Sequence, residues 1–83
     1  MTPAPMLEEA RRLLATAAEA EAAAIPDNAD MENLEAWTSI AHLRLVLAIE
    51  ELLAIQLTPE DAVAIVSLAD IAGLLARQKV AAQ

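Results

Sequence analysis

The chain has 83 residues, no Cys, a single His and a formal net charge of −8. That length allows one domain with one modest core. The missing thiols exclude disulfides and thiolate metal sites, one His cannot complete a zinc ligand set, and the charge disfavours nucleic acid and anionic membranes while favouring partners with basic faces.

The hydrophobic fraction of 58% rests largely on Ala, and the longest strongly apolar run, "LVLAI", is flanked by Arg44 and Glu50. It is far short of the ~20 residues that a membrane span needs. The opening "MTPAPMLEEA" lacks the basic start and apolar centre of a signal peptide. A cytoplasmic monomer is therefore expected.

In chain order, helical spacing predicts a first helix from about residue 4 to 24, its apolar stripe made by Met6, Ala10, Leu13, Leu14 and Ala17. Glu8 and Glu9 are spaced to pair with Arg11 and Arg12. Thr2, Pro3 and Pro5 suit a helix start, and Ile25-Pro26 ends the helix because a residue before Pro avoids the helical region.

"IPDNADMENLEAW" reads as a long ordered connection in which Asp30 caps a short turn through "MENL". Leu34 and Trp37 are expected to pin it to the core, since an aromatic buries a large area at small entropic cost.

The second helix is predicted over 39–53, with Leu45, Ile49 and Leu53, and Leu52 alongside, on a core face. Ile40, Leu43 and Leu47 fall on another face, which so small a protein leaves pointing outward. If the bundle closes differently, those three are core instead.

"TPED" starts a brief third helix over 59–65, with Thr58 as cap and Pro59 at the first helical position. "SLAD" repeats the cap-and-acid pattern for a fourth helix over 67–77, after which "QKVAAQ" is expected to fray. Ile65, Leu68, Ile71 and Leu75 point to the core, and Gly73 is expected to permit close packing. No stretch alternates like a strand, so the fold class is all-α, a four-helix bundle in one domain over 1–83.

Ser39 and His42 lie three apart on one helix, the spacing at which side chains can meet. A hydrolytic triad would also need an orienting carboxylate, an oxyanion hole and a cleft, none of which is evident in this pattern. Ser at a helix start is ordinarily a cap, but Thr38 can take that role and leave the Ser39 hydroxyl free. A free hydroxyl there is well placed for a phosphodiester, because the unpaired N–H groups and the helix dipole favour phosphate. His42 reads as an exposed side chain or a partner contact. Glu50 and Glu51 read as a solvated face or as a docking surface for a basic partner.

"TSIAHLRLVLAIEELLAIQLTPEDA" resembles the acyl carrier protein family. The family hallmark is Asp-Ser-Leu opening an apolar helix that ends near Glu-Glu; here Thr38 stands for the Asp, Ser39 matches the modified Ser and Ile40 replaces the Leu. "LAIEELLAIQLTPEDA" follows the family's apolar pair, Glu pair and acidic third helix, and "IVSLADIAGLL" resembles the start of its last helix. The likeness covers residues 30–77, and the first helix in outline. "WTSIAHLRL" is similar to stand-alone carriers in specialised or aminoacyl-transfer systems.

The resemblance implies a long first loop and a short third helix. It also implies a 4′-phosphopantetheine arm on Ser39, attached by a phosphopantetheinyl transferase and charged by an acyl- or aminoacyl-loading ligase. The protein would catalyse nothing itself and would present the thioester to biosynthetic enzymes with basic docking faces. An apolar gap between helices would shelter the cargo. Ile40, Leu43 and Leu47, rimmed by His42, Arg44, Glu50 and Glu51, are the expected docking face. Arg44, Leu52 and Val63 depart from the acidic pattern common in the family, and Thr38 lacks the charge that the transferase commonly meets. An unmodified helical interaction module of the same fold is the alternative.

Overall fold

Helix α1 (Leu7–Ala18) buries Ala10, Leu14 and Ala17, a three-to-four spacing that keeps one stripe on the core, while Met6 and Leu13 pack at its edge. Our computed structural model describes residues 6–81, with side chains through Gln78, so the expected start at residue 4 with Thr2, Pro3 and Pro5 lies outside the described residues. Within them the fold is all-α: α1, α2 (Ser39–Leu53), α3 (Pro59–Ala64) and α4 (Leu68–Ala81), with a 3-10 turn at Ala22–Ala24.

The first helix ends six residues before the expected residue 24. Glu19 turns left-handed (φ 55°, ψ 45°), and the N–H of Ala20 donates to Ala15 O at 2.9 Å, which closes a Schellman turn. Ala propensity favoured continuation, but a straight helix would carry Ile25 away from the core in which it is buried. Arg11 fastens the returning chain: its Nε–H donates to Ile25 O at 3.0 Å, and its guanidinium pairs with Glu8 and Asp27. Donating a hydrogen bond to Glu8 raises the Arg11 pKa; burial works against this, and Asp27 adds to it.

The connection is ordered as expected. Asp30 Oδ1 accepts from the N–H groups of Glu32 and Asn33, both at 2.8 Å, and Asn33 Oδ1 accepts from Asp30 N–H. An isolated antiparallel bridge joins Asp30 to Ser67: Met31 N–H donates to Val66 O and Leu68 N–H to Ala29 O. This bridge ties the loop to the start of α4, and no other extended pairing occurs among the described residues.

α1 is the central helix, packed on one side by α2 through Ala41, Leu45 and Ile49 and on another by α4 through Leu68, Ile71, Ala72 and Leu75. Small residues at Ala10, Ala17, Ala41 and Ala72 let these axes approach. Each fully buried Leu or Ile at this junction contributes about 1.5–3 kcal/mol. α2 ends on a second left-handed residue, Ala54 (φ 55°), with Ile55 N–H donating to Glu50 O.

Leu52 does not join the core face; it is 54% exposed on the flank toward α1. α3 ends at Ala64, one residue short of the expected boundary, because Ile65 is extended and buried. It starts on a capping box in which Thr58 Oγ1 accepts from Asp61 N–H and Asp61 accepts from Thr58 N–H.

α4 runs on to Ala81 instead of fraying after Arg77, since nothing in "QKVA" breaks a helix; the last two residues lie outside the described residues. Ser67 caps it, accepting from Asp70 N–H at 3.1 Å. Gly73 does not serve close helix packing. A Cβ there would meet only the Arg77 Nη1 atom, at an ordinary 3.6 Å.

Candidate functional site

The start of α2 is held from behind. Trp37 is 3% exposed, and its backbone N–H donates to Leu34 O. That contact delivers Thr38 in an extended conformation (φ −84°, ψ 176°), the backbone state of an N-cap. Thr38 Oγ1 accepts from Ala41 N–H at 3.1 Å, and its carbonyl accepts from His42 N–H at 2.8 Å. Ser39 is therefore the first helical residue, exposed, with no partner for its hydroxyl among the described residues. The backbone N–H groups of Ser39 and Ile40 likewise have no acceptor there.

Ile40, Leu43 and Leu47 form one stripe along α2 and are 59%, 57% and 56% exposed. The alternative closure that would bury them is not adopted, because Ala41, Leu45 and Ile49 occupy the core face. Val63 on α3 and Val66 after it are also exposed large apolar residues. Neither was singled out as part of a docking face from the sequence, although Val63 follows the capped acidic turn on a helix too short to bury its length. Arg44 is exposed and pairs with Glu19 across 3.5 Å, a contact worth at most about 1 kcal/mol at such a surface. Glu51 is exposed.

Two expected rim residues do other work. Glu50 is half-buried and accepts from Leu57 N–H at 2.8 Å, which closes the turn into α3. His42 is an internal strut, not a free contact. Its Nδ1 accepts from the Trp37 indole N–H at 3.1 Å, its Nε2 lies 2.9 Å from Ala62 O, and the two rings stack 6.0 Å apart. The sequence showed Trp37 and His42 five apart, but Ala62 enters through a backbone carbonyl, which no residue identity announces. With both ring nitrogens engaged, His42 holds no lone pair toward Ser39, and the pair does not form a nucleophile–base couple.

Three clefts lie away from Ser39. One of about 210 Å³ between α3 and α4 is lined by Asp61, Asp70, Gly73 and Arg77, and one of about 260 Å³ between α1 and α2 by Leu13, Thr16, Ala48 and Leu52. A third, of about 440 Å³, sits beside the Asp30–Ser67 bridge. None of these three is lined by Ser39, and the His42–Ala62 bond spans α2 and α3.

No described helix is long and apolar enough to cross a membrane, and no described cluster of His, Asp and Glu is arranged to hold a metal ion. No protein-family model and no curated protein matches the chain.

Proposed function

We propose that the chain is a carrier protein that holds an acyl or aminoacyl group as a thioester on a 4′-phosphopantetheine arm at Ser39. The observation that carries this reading is the free, exposed Ser39 hydroxyl at the first position of α2, with the capping duty taken by Thr38. The unpaired N–H groups of Ser39 and Ile40 and the positive end of a fifteen-residue helix suit a phosphodiester at that oxygen.

Attachment forms one bond, from Ser39 Oγ to the phosphorus next to the pantetheine of coenzyme A. The phosphoanhydride bond breaks, adenosine 3′,5′-bisphosphate leaves, and the hydroxyl proton passes to a base on the transferase. The arm supplies the thiol that the Cys-free chain lacks. The Ile40, Leu43 and Leu47 stripe, with Arg44 and Glu51 at its edge, is the surface offered to the transferase, the loading ligase and downstream enzymes. An apolar anchor inside a charged rim suits transient docking.

Thr38, which lacks the Asp charge, favours a second reading: an interaction module that uses the same stripe without modification. Incubation with coenzyme A and a phosphopantetheinyl transferase, read by intact mass, separates the two. A single pantetheinyl phosphate on the wild type and none on Ser39→Ala supports the carrier. An adduct that persists in the Ala variant moves the site elsewhere, and no adduct on a folded wild type with any transferase favours the interaction module.

A further inference from the structure

We infer that His42 is a proton-controlled latch: its neutral ring fastens α3 to α2 and to the Trp37 indole, and a second ring proton releases α3. The bonding roles are forced. An indole N–H can only donate, so His42 Nδ1 must accept from Trp37 across their 3.1 Å contact. The single ring proton therefore sits on Nε2 and is donated to Ala62 O at 2.9 Å. A second proton has one place to go, Nδ1, where it would set N–H against N–H.

Trp37 is 3% exposed and wedged in the core, whereas the imidazole is only half-buried, so the ring is the partner that turns away. Turning drops Ala62. Within α3 itself little else is held: no residue of Pro59–Ala64 is buried, and the helix packs extensively against none of the others. The release is therefore a local opening between Leu57, fixed by Glu50, and the buried Ile65.

No charged side chain bonds the ring among the described residues. Glu35 in the connection, Glu60 and Asp61 on α3, and Arg44 and Glu50 on the same helix make no hydrogen bond or ion pair with the ring among the described residues. Asp61 is held in the Thr58 cap, Glu50 by Leu57 N–H and Arg44 by Glu19. The latch adjoins Thr38 and Ser39, so it also braces the start of α2; it does not depend on whether Ser39 is modified.

The chain's single Trp and single His make the test unambiguous. Nitrogen NMR across a pH titration should show the Nε2–H tautomer when the ring is neutral. As the ring takes its second proton, the indole N–H should exchange faster and the amides of α3 should lose about tenfold or more of their hydrogen-exchange protection, while those of α1 keep theirs. Trp37→Phe removes the opposing N–H, so its α3 amides should stay protected through the same titration; His42→Phe should show the released α3 at every pH. An Nδ1–H tautomer, α3 protection that does not change as the ring protonates, or an undiminished α3 in folded His42→Phe would each overturn the latch.

Discussion

Replacing Leu47 with Glu tests whether the α2 stripe is surface or core. Leu47 keeps 56% of its surface in water, so a little under half of its area is removed on folding. Full burial of a Leu is worth roughly 1.5–3 kcal/mol, which puts the loss at about 0.7–1.3 kcal/mol. The new carboxylate stays solvated and carries no burial penalty. Leu45, two residues away and fully buried, is the contrast: truncation to Ala alone should cost about 2–5 kcal/mol. Denaturant unfolding of both variants reads these values directly. On the carrier reading, Leu47→Glu should also slow transferase modification of Ser39, because it places a charge inside the docking stripe while the fold survives. A Leu47→Glu loss above about 3 kcal/mol would refute the surface assignment, and an unchanged modification rate would remove Leu47 from the docking face.

Thr38→Asp keeps the cap and adds a negative charge beside Ser39, so it should speed modification by a general transferase, more at low salt than at high, in a mass-read time course. Equal rates would show that the absent charge is immaterial. Ala54→Gly relieves a left-handed residue that costs about 1–2 kcal/mol, offset by about 0.4–1 kcal/mol of unfolded-chain entropy, and should raise the thermal midpoint by a few degrees. Gly73→Ala should also stabilise, by about 0.5–1 kcal/mol in the same melt, since only a flexible Arg77 side chain meets the new methyl. The Arg11 anchor has a raised pKa, so its contribution is fully present below the ordinary guanidinium value and is lost only as pH rises through the folded one. Melts across mildly acidic to mildly alkaline pH should therefore show no step from Arg11 deprotonation.

The helices were legible because their causes are local. Thr38, Thr58 and Ser67 cap through atoms three residues away, and the Asp30 turn closes within four residues, so each signal lies inside a short window of sequence. The two faces of α2 were equally readable, since a 3.6-residue period separates Leu45 and Ile49 from Ile40, Leu43 and Leu47 whatever surrounds the helix. What the period leaves open is which face is covered, and α1, lying against Ala41, Leu45 and Ile49, decided it.

The rest depended on partners distant in sequence. The Ala-rich end of α1 turns at Glu19 because Ile25 and its carbonyl are required at the core and at Arg11, a constraint invisible to helix propensity. Glu50 and His42 read as solvated rim residues because their partners are the backbone N–H of Leu57 and the carbonyl of Ala62. Every residue except Pro carries both groups, so identity alone marks neither atom as a partner. Composition, period and caps determined the helices and their apolar faces. Only the folded chain decided which polar atoms meet, because those meetings are set by how the axes pack.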